Sequence, residues 1–227
     1  MPGGPTTVFA TLLPVPAPRR LAAVLTALVV AAAGCALGPR PHLTEAAAAL
    51  GGAPGTPSGD AGADRVLALL ESDTTEPFTA TYQVTRKLGP NTTTATVVQD
   101  GDRRSVTVGD VRFLHTEQDA TCVLSTRVCE PGVQDARISD YSIGSSFWAA
   151  GPARALRVAM SRRSGPPVAS TQTVGGTSAQ CVDVPVGAGV EHYCATPAGP
   201  VARWDTAAVN VELTGFNREP DQSAFDV

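Results

Sequence analysis

Between Phe78 and Thr85 the chain reads FTATYQVT, with Phe78, Ala80, Tyr82 and Val84 on one side of a strict alternation and Thr79, Thr81, Gln83 and Thr85 on the other. A period of two is what a β-strand with one buried face requires, because successive side chains leave opposite faces of the pleat. The pattern then repeats. LGPN turns the chain into TTTATVVQ, DGD leads into RRSVTV, and GD leads into VRFLHT. Connections this short suit tight hairpin turns and leave no room for the helical crossover that a parallel sheet needs. Further on, VASTQTVGG and PVARWDTAAVNVELTGFN, with Val209, Val211 and Leu213 alternating, resume the strand pattern. A sheet of about ten antiparallel strands must curl rather than stay flat. The predicted fold class is therefore α+β: a curved antiparallel β half-barrel of about ten strands, with two or three helices covering its concave side.

Two stretches carry a helical period instead. ADRVLALLES places Val66, Leu67, Leu69 and Leu70 on one stripe. PARALRVAMSRRSGPP offers Pro152 for a first turn, Gly165 as a C-cap and Pro166 and Pro167 as a stop. In the second helix Leu156, Ala159 and Met160 face the sheet, while Arg154, Arg157 and Arg162 form the opposite face, read as solvated. Phe147 and Trp148, just upstream, read as core plugs or as a gate over an apolar cavity.

Cysteine spacing adds covalent constraints. Four cysteines allow three pairings. The midpoint of Cys122 and Cys129 falls in the turn of CVLSTRVC, and that of Cys181 and Cys194 at the Gly-rich turn of CVDVPVGAGVEHYC. Each pair then lies directly across its own hairpin, where Cβ atoms are close enough to be drawn into a bridge. Disulfides Cys122–Cys129 and Cys181–Cys194 are predicted, contributing about 2.5 and 3 kcal/mol by loop-closure entropy. Metal ligation is the rival use of such cysteines, but neither pair is a C-x-x-C and no histidine stands beside both.

The fifth cysteine belongs to a different story. Arg19 and Arg20 precede an apolar run of 13 residues, Leu21 to Ala33, too short for a membrane span. Ala32, Ala33 and Gly34 before Cys35 match a bacterial lipobox, with Ala in place of the more usual Leu three positions before the cysteine. The sequence thus predicts a lipoprotein signal peptide over residues 1–34 and Cys35 as the lipidated first residue of the mature chain. The twin arginines also permit export in the folded state, although the residues around them fit that signal poorly. Two or more acyl chains hold stably in a bilayer, so the predicted location is the cell membrane, lipid-anchored and facing the extracytoplasmic side, where disulfides persist. Residues 36–62, rich in Ala, Gly and Pro, read as a flexible tether with His42 a solvated loop residue, and the folded domain as 63–227.

Charge and motifs exclude several functions. Without Arg19 and Arg20 the chain carries 15 basic against 21 acidic residues, a balance that argues against nucleic acid. A single lysine, Lys87, against 16 arginines suggests a GC-rich genome, in keeping with an actinobacterium. No G-x-S-x-G, S-x-x-K or H-E-x-x-H is present. His115 falls on a strand alternation beside Phe113, and His192 faces Asp183 across the second disulfide hairpin. Both read as structural, so no enzyme activity, catalytic residue, metal or cofactor is predicted.

The order of lipobox, Pro/Gly-rich tether, short amphipathic helix, FTATYQVT strand, meander, mid-chain helix, VDVPVGAGVEHYC, PAGPVARW and closing VELTGF resembles the LolA-like superfamily, and within it the actinobacterial envelope lipoproteins of the LppX and LprG kind. The resemblance covers about residues 63–227 and implies a half-barrel whose concave side holds acyl chains. The function it implies is a lipid-anchored extracytoplasmic protein, monomeric, holding or carrying acyl lipid or lipoprotein. The alternative is an envelope protein-interaction lipoprotein with a packed core and no ligand. Inward residues proposed for the cavity are Phe78, Tyr82, Val84, Phe113, Phe147, Trp148, Leu156 and Met160. The anchor has a direct test: labelled palmitate should attach to the wild-type chain, and Cys35→Ala should abolish the label and release the protein from the membrane fraction; retention of both would refute it.

Overall fold

The computed structural model describes residues 52–226, all within one compact unit spanning Leu43–Val227. The predicted signal segment, Cys35 and His42 lie outside the described residues. Eleven strands form a single open antiparallel sheet: β1 Phe78–Arg86, β2 Asn91–Asp100, β3 Arg103–Val108, β4 Val111–His115, β5 Asp119–Val123, β6 Val128–Pro131, β7 Val168–Val174, β8 Thr177–Val186, β9 Gly189–Ala195, β10 Val201–Asp205 and β11 Val209–Asn217. Helices α1, Ala61–Leu70, and α2, Ala150–Ser161, and the 3-10 turns Asp135–Tyr141 and Gln222–Phe225 complete the described elements. The fold is α+β with one curved sheet, a half-barrel.

Strand order is β6-β5-β4-β3-β2-β1-β11-β10-β9-β8-β7. Each half is a meander, and the halves meet where β11 pairs with β1, Tyr82 opposite Leu213 and Val84 opposite Val211. The turns are as short as the alternation demands. Val108 pairs directly with Val111 and Val186 with Gly189, which leaves two-residue loops headed by Gly109 and Gly187. Both glycines have φ near +60°, at +56° and +59°, the left-handed conformation that hairpin turns matched to strand twist require. Cys122 sits opposite Cys129 and Cys181 opposite Cys194, and each pair is joined by a disulfide.

Helix α1 begins where Asp60 caps it, its Oδ1 accepting from the Gly62 and Ala63 amides at 2.9 Å each. Its buried face is Ala63, Val66, Leu67 and Leu70. It packs on β7, β8 and β9 and against α2. Helix α2 buries Leu156, Ala159 and Met160 and stops at Ser161, earlier than Gly165. The ordered chain also starts before residue 63. The Gly55 amide donates to Glu71 Oε2 (2.9 Å), the Ser58 amide to Asp64 Oδ1 (2.6 Å), and Arg157 Nη1 to the Thr56 carbonyl (2.7 Å). Composition missed this because main-chain groups, not bulky side chains, hold the segment.

The core joins both meanders to α1 and α2. Tyr82 meets Phe147 edge-on at 5.3 Å, and Phe78 lies 5.8 Å from Phe216 and 6.0 Å from Trp148. Leu156, fully buried on α2, tests the cohesion of this layer: Leu156→Ala should cost about 2–5 kcal/mol in urea unfolding, and a loss under about 1 kcal/mol would mean that α2 is not seated on the sheet.

Candidate functional site

The inward face of the first meander changes character along the strands. Register aligns Ala80, Val97, Val106 and Phe113 across β1 to β4 in one apolar row. The next row outward, two residues along each strand, is Phe78, Gln99, Arg104 and His115. An alternation that is apolar for most of each strand thus ends in a polar row on the same face. The row is buried at Phe78 and Gln99 and opens to solvent toward Arg104 and His115. A pocket of about 1040 Å³ opens there, between these strand ends, the Glu71–Thr75 segment after α1, and the Ser145–Ala150 segment leading into α2.

Its apolar wall comprises Leu70, Val106, Phe113, Leu114, Trp148 and Ala153. Trp148 is fixed at both ends of its residue: its carbonyl accepts from the Val201 amide on β10 at 2.7 Å, and its ring carries the Arg104 guanidinium 5.0 Å from its centroid. The polar contributions are Gln99, Arg104, His115 and, from the helical side, Glu71, Arg154 and Arg157. Gly52 and Pro54, from the chain ahead of α1, reach the same pocket.

Arg157 departs from the sequence reading. It was expected on a solvated face with Arg154 and Arg162, yet it is only 6% exposed. Its Nε donates to Glu71 Oε1 at 2.7 Å and its Nη2 to Glu71 Oε2 at 2.8 Å, a bidentate pair, while Nη1 holds the Thr56 carbonyl. One guanidinium therefore ties α2 to the end of α1 and to the arm before it. Burial pushes the Glu71 carboxyl up, but the Arg157 hydrogen bonds, the Gly55 amide and the Arg157 charge outweigh it and hold the group below its ordinary value of 4.5. Arg162 is also paired, its Nη2 donating to Glu191 Oε1 at 2.7 Å, and Glu191 Oε2 accepts from the Tyr193 hydroxyl at 2.6 Å.

Of the eight residues proposed for the cavity, Phe113 and Trp148 line it. All eight belong to the core, and Phe78, Tyr82, Val84, Phe147, Leu156 and Met160 do not reach the pocket. Phe147 fills against Tyr82, so the Phe147–Trp148 pair divides into one plug and one pocket wall. Sequence reasoning did not single out Glu71, Gln99, Arg104 or Arg157 as site residues. The signal for Gln99 and Arg104 was the same alternation, extended by two residues from Val97 and back by two from Val106. His192 Nδ1 lies 2.7 Å from Asp183 Oδ1, and His115 pairs with Asp119. Neither imidazole has a hydrogen bond to a hydroxyl, and no group of three or more His, Cys, Asp or Glu able to hold a metal occurs, among the described residues. No helix among them is long and apolar enough to cross a membrane.

No protein-family model matches the sequence, and no curated protein matches it. Solved structures share features of the fold at low identity. A chain of the Pseudomonas aeruginosa MucA/MucB complex aligns at a TM-score of 0.46 with 13% identity over 74% of this chain and 61% of that one. A DUF1329 family protein from Desulfovibrio piger gives 0.31 and 7%, over 75% and 98%, and a putative outer membrane lipoprotein-sorting protein domain from Vibrio parahaemolyticus gives 0.29 and 8%, over 73% and 94%. The chain thus spans less than two thirds of the first of these, and at such scores none assigns a function.

The Arg157–Glu71 pair makes a prediction with a sign. Because the Glu71 pKa is depressed on folding, the pair's stabilisation is present above pH 4.5 and fades as pH falls through the lower folded-state value. Arg157→Leu leaves a buried carboxylate alone and should cost about 3–5 kcal/mol near neutral pH, with the gap to wild type narrowing in acid as Glu71 takes up a proton. Denaturant unfolding across pH measures both, and a gap that stays constant with pH would refute the pairing.

Proposed function

We propose that this chain is a lipid-anchored, extracytoplasmic binding protein that holds an acyl chain, of a lipid or of a lipoprotein, in the pocket between β2–β4 and the start of α2. The supporting observation is the pocket: about 1040 Å³, walled by Leu70, Val106, Phe113, Leu114, Trp148 and Ala153. That volume stands at the upper end of small-molecule sites, which run to roughly 1,000 Å³, and its contents would be apolar matter withdrawn from water. Each buried methylene contributes about 0.8 kcal/mol, so about ten give roughly 8 kcal/mol, the free energy of a micromolar complex, before the cost of ordering the chain.

The rest of the proposal joins this pocket to the N-terminus. Residues 1–34 serve as the signal peptide, Cys35 carries the anchor, and the tether ends by Gly55, where hydrogen bonds to the domain begin. A short tether keeps the pocket close above the bilayer from which an acyl chain would be drawn. This reading agrees with the LppX and LprG resemblance of the sequence and needs no covalent chemistry.

A second reading has its own support. Six of the eight side chains first proposed for the cavity are core and do not reach the pocket, so the half-barrel is largely filled, and a filled sheet suits an envelope protein-interaction lipoprotein. The two are separable. The chain from residue 36 onward, exported without its anchor and extracted with organic solvent, should yield stoichiometric non-covalent lipid by mass spectrometry. A lipid-free protein of undiminished thermal stability would reject the acyl-binding reading in favour of the interaction protein.

A further inference from the structure

Inside the pocket no carboxylate pairs with Arg104 among the described residues. Glu71 is committed to Arg157 and the Gly55 amide, and His115 to Asp119. Asp73 and Asp102 stand exposed at the rim. Arg104 has no ion pair or side-chain hydrogen bond among the described residues. Burial pulls its pKa below the ordinary value, opposed by the Asp119 charge. Arg104 is half-buried, its guanidinium carbon 5.0 Å from the Trp148 ring centroid, a cation–π contact that leaves its N–H groups free of any protein acceptor among the described residues.

A neighbouring group lacks a partner of the complementary kind. Gln99 is 3% exposed and sits directly opposite Arg104 in the β2–β3 register. Its Nε2 donates to the Gly101 carbonyl at 2.5 Å, and its buried Oε1 accepts from nothing. A buried acceptor without a donor costs free energy that a ligand hydroxyl would restore. Across the pocket the start of α2 is already satisfied by main chain, the Gly151 amide donating to the Ser146 carbonyl and the Ala153 amide to that of Ala149, while Pro152 has no N–H. Anion binding at this end therefore falls to Arg104.

We propose that this end of the pocket is a head-group subsite for an anionic amphiphile with a hydroxyl beside its anion, a glycerophosphate-type head. The proposal rests on the acyl-binding reading and specifies its polar end. The phosphate oxygens accept from the Arg104 fork, and the adjoining hydroxyl donates to Gln99 Oε1. The chain leads from there along Val106, Phe113 and Ala153. Trp148 serves both halves, stacking the cation on one side and walling the apolar space on the other.

The test uses the full chain held in an amphipathic polymer and two photoreactive probes of equal chain length, a lysophosphatidic acid and a monoacylglycerol, with cross-links mapped to residues 99–115 and 145–154 and glycerol phosphate as competitor. Lysophosphatidic acid should label at about tenfold lower concentration than monoacylglycerol, the factor expected of one charge-assisted contact. Arg104→Gln should erase that preference while monoacylglycerol still labels; Arg104→Lys should keep part of it. Glycerol phosphate should not compete at matching concentrations. Equal labelling by both probes in the wild type overturns the head-group subsite and leaves the acyl pocket standing. Labelling by neither overturns both, and full competition by glycerol phosphate alone makes this a free phosphate-ester site, against both.

Discussion

The pairing of β1 with β11 is the contact on which the architecture turns. It brings the first strand and the last into adjacent positions, Val84 against Val211 and Thr79 against Asn217, with an irregularity at Thr81 and Tyr82 that bends the ribbon. All other strand pairs in the sheet are between sequence neighbours, so this one closes the longest loop and carries most of the ordering cost. Its consequence is a sheet with both termini of the strand sequence at the centre and the chain's middle at the edges. The passage from β6 to β7 must then cross from one edge to the other. Residues 132–167, including α2, make that crossing over the inward face.

Which part of the face is covered follows from where the crossing lands. Helix α1 packs on β7 to β9, α2 packs on α1 and β8 and β9, and the 3-10 turn at Asp135–Tyr141 lies over β1 and β2. Over the inward face at the outer ends of β2, β3 and β4 come only non-helical segments, residues 71–75 after α1 and 145–149 before α2. There the inward row becomes Gln99, Arg104 and His115, side chains whose burial without partners is costly. Packing and polarity agree in leaving that end open. The Arg157–Glu71 pair stands at the junction of α1, α2 and the arm through Thr56. A buried ion pair adds little net stability over an apolar pair, but it accepts only one geometry, which suits a joint where three segments frame the pocket.

Much of the sheet could be read from residue order, since each strand from Phe78 to His115 has a period of two and each turn is too short for anything but a hairpin. The disulfide partners followed from the same turns. The cavity was less legible for a physical reason: periodicity says which face a residue is on, not whether a neighbour fills the space above it. Phe78, Tyr82 and Val84 are inward as the alternation requires, yet Phe147, Trp148 and Phe216 come from distant segments to meet them. Arg157 misled in the opposite way. Helical spacing put it opposite Leu156 and Met160, and nothing local revealed that Glu71 and Thr56 would arrive on that side.

The close packing of most of the half-barrel has its origin in composition. With six Phe, two Trp and three Tyr in 227 residues, the core is built mainly from Val and Ala, such as Ala80, Ala95, Val97, Val182 and Ala202. Short side chains let a helix approach the sheet closely, and close approach extinguishes any general space between layers. A wide cavity running the length of the half-barrel would need long side chains at the rim to hold the layers apart. Phe78, Trp148 and Phe216 cluster at the start of β1. The pocket lies beside this cluster, with Trp148 in its wall and Arg104, which has no ion pair among the described residues, over that ring.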